Sequence, residues 1–494
     1  MSPKPGNYGY LFAISGGMLS RLATLAILIL LPAHIGLTEY GRFVLVITIG
    51  EIVEMTTSNW YRILLIREGV NRDVEDGAPA AAAKPSGWTF GAIVLALSAL
   101  AAIAALTIAP FFAAGAGVQF TAATLAYVLS FTFYKLAFAM LQAQRRQHLI
   151  GLVECIRGLS ILGFVAAAIG LGQTSFFYPA LALCLSALVT AATGLFFARQ
   201  GLADLLAKTL QNGAFWLVGL PVIIATLLTF QLGWFDRLLL QTMMGPETVG
   251  LYVAVAAIAR QPIDLVLNAL NTQTFPVMME RGDTTSRDAR ARTGSILLSA
   301  CILGAGGAAA IVALSHPLAA TVLKAFDTQD ATAIIAPIAI GAVFLGLKHF
   351  IFDNIFHAHG KNWMMLKWFA IIAFATTAIS AGSIAMFGIK GAAFAFLAGS
   401  AFAMISSAIV ARGIWTFPIP VSAIVRTVLA AALAGVAAHV TAGHMAVPAW
   451  GQLAAGLLAF CLAYLLLLGL FLRFNPRRFL AAPWEMDYAG GGAR

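Results

Sequence analysis

The hydrophobic pattern of this chain is a succession of apolar runs of about twenty residues or more, separated by short polar breaks. Each run is long enough to cross a hydrocarbon layer of roughly 30 Å at about 1.5 Å of helical rise per residue. The runs predict fourteen helices, near 10–35, 42–66, 88–112, 119–142, 149–171, 176–198, 214–240, 248–278, 294–316, 332–357, 362–386, 390–413, 421–443 and 448–472. The first is too long for a signal peptide and carries Arg21 near its middle, with no small-x-small cleavage pattern after it. It is read as the first transmembrane helix. The expected fold class is an all-α integral membrane protein with about fourteen transmembrane helices.

Composition agrees with that pattern. The 494 residues are 61% hydrophobic and 10% charged, and the mean hydropathy is +0.90, well outside the range of soluble proteins. The net charge of +10 could suggest nucleic acid, so its distribution matters. With the N-terminus placed in the cytoplasm, eighteen lysines and arginines fall on the inner side, and only Arg42, Lys324 and Lys390 on the outer side. This is the positive-inside bias, and it predicts a multi-pass membrane protein with both termini cytoplasmic and no nucleic-acid partner. Cys155, Cys184, Cys301 and Cys461 all sit within apolar runs, without CxxC spacing, and read as small hydrophobes. There is no Walker loop, dinucleotide fingerprint or HExxH zinc site, so neither a metal or cofactor site nor an ATP-driven pump within this one chain is expected. The longest inter-helix loop, REGVNRDVEDGAPAAAAKPSG, is about twenty residues and cytoplasmic.

An internal repeat is visible at two predicted outer turns. IGLTEYGRFVLV (35–46) and MGPETVGLYVAV (244–255) match at a constant offset of 209: Gly36 with Gly245, Gly41 with Gly250, Phe43 with Tyr252, Val44 with Val253 and Val46 with Val255. Generic tight turns between apolar helices would also favour glycine there. Five matches at one offset favour a parallel duplication of six helices, an architecture found in transporters. The expected organisation is an N-terminal lobe at 1–198, a cytoplasmic linker at 199–213, a C-terminal lobe at 214–413, and two added helices with a tail at 414–494.

Charges at membrane depth need an explanation, because a central Lys, Arg or Asp costs about 2.5–3.5 kcal/mol on insertion scales, whereas one near a helix end can snorkel. Arg21, Arg157 and Arg260 fall near the midplane, and Lys135 and Lys348 in the inner third. Glu51, Glu54, Glu154 and Asp264 lie at comparable depth. Glu154 and Arg157 are three apart and Arg260 and Asp264 four apart, so internal salt bridges remain open for both arginines. Arg21 has no acid within four residues. Asp236 and Arg237 reach the outer interface, as a helix-end anchor or a gate contact, and Arg62, Lys367 and Arg426 are within reach of the inner surface as anchors. Pro221 and Pro262 are expected points of bending.

The stretch FWLVGLPVIIATLLTFQLGWFDRLLLQTMMGPETVGLYVAVAAIARQP resembles the seventh and eighth helices of the polysaccharide transporters (Wzx-like) of the multidrug/oligosaccharidyl-lipid/polysaccharide (MOP) exporter superfamily. Asp236, Arg237, Gly245, Gly250 and Tyr252 fit that pattern in order, and Ser20–Arg21, GLTEYGRFVL and GIKGAAFAFLAG are similar to it elsewhere in the chain. The resemblance implies a flippase for lipid-linked oligosaccharides, built of two six-helix lobes and two extra helices, serving cell-surface polysaccharide export. Peptidoglycan-precursor flippases of the superfamily carry two arginines in helix one, whereas only Arg21 stands there in this chain.

A guanidinium stays charged, is weakly hydrated and binds phosphate oxygens in a planar fork. A polyprenyl-diphosphate head group would therefore suit Arg21, Arg260 and Arg157, with Lys135 and Lys348 nearby and Gln231, Gln261, Asn268, Asn271 and Gln273 available for glycan hydroxyls. Asn268 and Asn271 share a face and could equally join helices. Glu51, Glu54 or Glu154 could carry a coupling proton or sodium ion. The charge-free helix 448–472 suits a groove for the polyprenyl tail, and equally ordinary lipid-facing surface. A polysaccharide polymerase is a possible partner. Two other functions stay open: a cation-coupled exporter of small amphiphiles on the same fold, and a membrane glycosyltransferase or polymerase, against which the short outer loops count.

Overall fold

A computed structural model describes residues 7–75, 87–113, 115–144, 146–198, 220–279, 287–323, 328–359 and 361–476, with positions 479 and 483. The linker at 199–213 and the start of the segment expected at 214–240 lie outside the described residues, as do the inner-loop positions Lys4, Lys84, Arg145, Arg199, Lys208, Arg281, Arg477, Arg478 and Arg494 and the outer positions Lys324 and Asp327.

All secondary structure among the described residues is helical: α1 (Asn7–Leu30), α2 (Pro32–Ile35), α3 (Leu37–Glu75), α4 (Gly87–Phe112), α5 (Gly117–Ala143), α6 (Gln147–Gly170), α7 (Phe177–Ala198), α8 (Leu220–Met244), α9 (Pro246–Ala259), α10 (Gln261–Met279), α11 (Arg287–Ala313), α12 (Ser315–Val322), α13 (Thr328–Leu347), a π-helical turn (Lys348–Phe352), α14 (Asp353–Ala358), α15 (Asn362–Ile414), α16 (Val421–His444) and α17 (Ala449–Leu472). Eleven of the described helices are long and apolar enough to cross a membrane, or up to twelve if the bent pair formed by α9 and the start of α10 counts as one span. The protein is a multi-pass membrane protein.

The difference from fourteen has identifiable physical sources. Helix α3 carries Glu51, Glu54 and the polar run Thr56–Asn59 at its centre, which lowers its hydropathy although it is 39 residues long. Helix α15 is continuous over 53 residues except at Gly388, where φ 58° and ψ −135° break it between the two segments expected at 362–386 and 390–413. The segment expected at 248–278 is bent by 46° at Arg260, just before Pro262. Pro221 stands in the first turn of the described part of α8.

By contacts the chain falls into two compact units, Met1–Gly250 and Leu251–Arg494. In the first, α5 is the central helix, packed on α3, α4 and α7, while α1 lies along α6 and α8 lies on α3. Small residues allow the α1–α6 approach. A Cβ on Gly16 would run into the carbonyl of Gly151, and one on Gly158 would stand 3.1 Å from the Ser20 Cα. In the second unit α13 is packed against α11 and α15, and α16 and α17 pair with each other against α11. There the Tyr464 hydroxyl donates to the Ile302 carbonyl at 2.8 Å, which satisfies a polar group that would otherwise be stranded among apolar side chains.

The repeated turns meet each other inside the first unit. Gly36 and Gly245 both adopt positive φ, 82° and 88°, a backbone that side chains other than glycine resist. Five residues on, a Cβ on Gly41 would strike the Pro246 carbonyl oxygen, and one on Gly250 would strike that of Leu37. Each would also stand 3.1 Å from the other glycine's amide nitrogen. Leu37 and Pro246 are themselves related by the offset of 209, so the contact is reciprocal. Gly41→Ala and Gly250→Ala are therefore each expected to lower stability by about 1–3 kcal/mol, the usual range for overpacking. Thermal unfolding in detergent checks this. Gly163→Ala, with nothing within 4 Å of its added methyl, serves as the neutral control.

Candidate substrate site and charged network

In the first unit the charges on α3 and α5 form a connected network. Lys135 on α5 reaches across to α3 and pairs with two carboxylates at once, Glu51 Oε2 and Glu54 Oε2, both at 2.6 Å. The Tyr127 hydroxyl donates to Glu51 Oε1 at 2.9 Å. Glu54, fully buried, also accepts a short hydrogen bond from the Ser58 hydroxyl and lies 3.5 Å from Arg62. Arg62, expected only as an inner-surface anchor, is thus part of the network and also donates to Asn59 Oδ1 at 3.0 Å. Asn59 in turn donates to Thr226 Oγ1 at 3.1 Å, which ties α3 to α8.

A second cluster adjoins the first through the aromatic face of α5. Tyr127 stacks on Phe131 with ring centroids 3.9 Å apart, and Phe131 meets Tyr134 edge-on at 6.0 Å. The Arg157 guanidinium lies 4.7 Å from the Tyr134 ring centroid. Arg157 donates to the Tyr134 and Ser20 hydroxyls, both at 3.2 Å, and stands 3.6 Å from Glu154. The Tyr134 hydroxyl donates to Glu154 Oε1 at 2.6 Å. The salt bridge left open for Arg157 is therefore formed, with Tyr134 shared between the partners. Arg21 is exposed on the adjoining turn of α1, beside the buried Ser20.

Chemically, this arrangement neutralises three carboxylates (Glu51, Glu54, Glu154) with three cations (Arg62, Lys135, Arg157). Arg21 adds one positive charge to that set. The partnership of Lys135 could not be read from the sequence, because Glu51 and Glu54 lie on another helix. Tyr127, Tyr134, Ser58 and Ser20 were missed as network members. The signal for the tyrosines was available: Tyr127, Phe131, Tyr134 and Lys135 follow the i, i+4, i+7, i+8 spacing of one helical face.

At the far end of α8, the Asp236 carboxylate accepts from the Arg237 amide at 2.8 Å, and the buried Arg237 guanidinium lies 4.1 Å from the Trp234 ring centroid. Gln241 donates to the Phe112 carbonyl at 3.3 Å, which joins this helix end to α4.

The second unit pairs Arg260 and Lys348 locally, while the exposed Lys390 on α15 meets Asp330 on α13 at 2.9 Å. Arg260 Nε donates to Asp264 Oδ2 at 2.9 Å, so the second open salt bridge is also formed, and the guanidinium lies 5.2 Å from the Phe396 ring centroid. Lys348 is fully buried; its ammonium meets Asp353 Oδ2 at 2.7 Å and sits 3.8 Å from the Phe369 ring centroid. This i, i+5 pairing follows from the π-helical turn, and the sequence reading, which tested i+3 and i+4 spacings, did not foresee it. Asn271 accepts from Asn354 at 2.8 Å and so joins α10 to α14. Gln261 and Asn268 are half-buried on α10. An apolar cavity of about 710 Å³ in the same unit is lined by Leu297, Phe344, Leu347, Met404 and Ile424, with Arg412 also in its wall. None of its lining residues comes from α17. Among the described residues there is no group of three His, Cys, Asp or Glu side chains placed to hold a metal ion.

Breaking a buried ion pair from one side is expected to harm more than removing the whole cluster. Lys135→Met leaves Glu51 and Glu54 together without their shared cation and should cost about 3–5 kcal/mol. The triple variant with Glu51→Gln and Glu54→Gln should recover a substantial part of that loss in thermal unfolding.

No protein-family model and no curated protein sequence matches the chain. Among solved structures, the chain is similar to the lipid II flippase MurJ in its inward closed conformation, with a TM-score of 0.70 at 14% identity, over 94% of this chain and 99% of that one. A Vibrio cholerae MATE transporter, VcmN in its bent form, aligns at a TM-score of 0.49 and 16% identity over 82% of this chain and 94% of its own. At such identities the likeness establishes the fold: the helical membrane architecture of this chain is that of the lipid II flippase over nearly its whole length.

Proposed function

We propose that this protein is a flippase that moves a polyprenyl-diphosphate-linked oligosaccharide from the cytoplasmic to the outer leaflet of a bacterial inner membrane by alternating access, for cell-surface polysaccharide export. The observation that carries the reading is the charge balance at membrane depth, on a fold shared with a lipid II flippase. The carboxylates of the network in the first unit are already neutralised by internal cations, and Arg21 adds a guanidinium to an exposed face beside it. Guanidinium groups at that depth suit an anionic head group better than a cationic cargo.

In this reading Arg21 and Arg260 hold the diphosphate oxygens. Arg157 is positioned by Glu154, Tyr134 and Ser20 and supports them. Gln261 and Asn268 face the glycan. Asp236 and Arg237 shape the outer end of α8. The cavity walled by Leu297, Phe344 and Met404 takes part of the polyprenyl tail. No bond is made or broken; the chain is a transporter, and a polysaccharide polymerase on the outer face is the natural consumer of its product. The ion-coupling role of Glu51, Glu54 or Glu154 then works through release of Lys135 or Arg157, since those cations hold the carboxylates in this conformation.

Depletion of the protein should make complete lipid-linked repeat units accumulate on the cytoplasmic side, with surface polymer lost. Arg21→Ala and Arg260→Ala should each slow transport about tenfold or more, since a hydrogen bond to a charged group contributes about 1.5–3 kcal/mol. Intact surface polymer with no lipid accumulation would overturn the reading in favour of a small-molecule exporter, and single units stranded on the outer face would favour a polymerase. Ala408→Trp, which fills the cavity wall, should slow a long-tailed substrate and spare a short-tailed analogue in a reconstituted flipping assay.

A further inference from the structure

The cavity in the second unit is not uniform along its length. Leu297, Leu347 and Phe352 are buried where they line it, whereas Ile405 and Ile409 on α15 also line it and are 52% and 67% exposed. Exposed isoleucines on a membrane-spanning helix face lipid, so the cavity is open to the hydrocarbon layer along this stretch of α15. Arg412 and Thr416 belong to the same wall and are exposed as well. Positions 405, 409, 412 and 416 follow the spacing of one helical face, with Thr416 just past the end of α15 at Ile414. That end is fixed by Trp415, whose buried ring lies 5.1 Å from the His359 ring and 6.4 Å from the Phe417 ring, centroid to centroid. A single stripe therefore runs from apolar side chains to a guanidinium and a hydroxyl.

Depth places the polar end of that stripe. Lys390 and Arg412 are separated by about 33 Å of helical rise, roughly one hydrocarbon thickness. With Lys390 on the outer side, as the distribution of cations has it, Arg412 stands at the inner interface. A cation there would be an ordinary snorkelling anchor if it only reached into water. Arg412 instead forms part of the wall of an apolar cavity, and no ion pair engages it among the described residues. A lipid whose tail fills the cavity has its polar group carried to the open end of the stripe, and the charge that stands there is positive.

We propose that Arg412 and Thr416 form a loading subsite, which holds the diphosphate of the transported lipid at the inner interface while the first part of its polyprenyl tail lies in the cavity. This rests on the flippase reading and deepens it by naming a head-group contact outside the midplane arginines. Arg412 presents a planar fork to two phosphate oxygens, and Thr416 a hydroxyl to a third. The volume of about 710 Å³ lies within the range of pockets that enclose a small ligand, so the cavity takes the isoprene units next to the head group and leaves the remainder in the bilayer. The subsite selects for chain and charge together, because a neutral prenol leaves Arg412 without its partner.

The test uses the full chain in a neutral detergent, with geranylgeranyl diphosphate and geranylgeraniol as probes and native mass spectrometry to read occupancy. The wild-type protein should bind the diphosphate about tenfold more tightly than the alcohol. Arg412→Gln should bring the two affinities to within about twofold by weakening the diphosphate alone, with Arg412→Lys in between. Ala408→Trp should weaken both probes. Lys367→Gln, which removes an exposed cation outside the cavity wall, should leave the preference intact. Equal binding of the two probes by the wild-type protein, a preference retained by folded Arg412→Gln, or unchanged affinities in Ala408→Trp would overturn the proposal. So would displacement of the diphosphate by phosphatidylglycerol at equal concentration, since the cavity would then be a general site for anionic lipid. Accumulation of lipid-linked repeat units on depletion is read separately and survives each of these outcomes, which distinguishes loss of the subsite from loss of the flippase reading.

Discussion

The demand that no charge stay unpaired in a low-dielectric interior organises the first unit of this protein. Lys135 answers it by standing between Glu51 and Glu54. One ammonium thereby fixes the rotation of α5 against α3, because only one face of each helix brings these groups together. The aromatic ladder Tyr127–Phe131–Tyr134 then carries the same constraint along α5 to Arg157 and Glu154 on α6, and through Ser20 to α1. Four helices that share no hydrophobic specificity, since lipid tails are as apolar as their own leucines, acquire a definite register from a handful of polar atoms.

The second unit meets the same demand differently. Arg260 and Asp264 pair across a bend, and Lys348 and Asp353 pair across a π turn, each within a few residues of chain. Aromatic rings cap both cations, Phe396 and Phe369 from α15. Local pairing concentrates irregular backbone where the charges are. Lys135, by contrast, could not leave Glu51 and Glu54 without loosening α3 from α5.

Much of this was legible in the sequence. Apolar run length and short polar breaks gave the all-helical membrane fold, and the expected interruption near residue 388 appears as the non-helical Gly388. The bend expected at Pro262 falls at Arg260. The pairs at i+3 and i+4, Glu154–Arg157 and Arg260–Asp264, were readable because helical geometry alone sets them. Lys135 with Glu51 and Glu54 was not, because register between helices is absent from the periodicity of either one. Lys348 with Asp353 was hidden by its spacing of five, which no α-helix brings together. The number of spans was less legible for a related reason: the acids and hydroxyls that make α3 a partner for α5 also depress its hydropathy.

The crossing of Gly41 and Gly250 carries a consequence of a different kind. Leu37 with Gly250 and Pro246 with Gly41 are one contact seen twice, with the two copies exchanged by the repeat offset, which is how a residue pair behaves across a two-fold axis. Such a contact is the signature of a homodimer interface, and here it lies within a single polypeptide. Between two identical copies, one codon change would alter both sides of such a crossing together. In the fused chain each side is inherited separately, so one glycine can be replaced while the other is kept. The two turns can then diverge, and the crossing gains the freedom to become asymmetric.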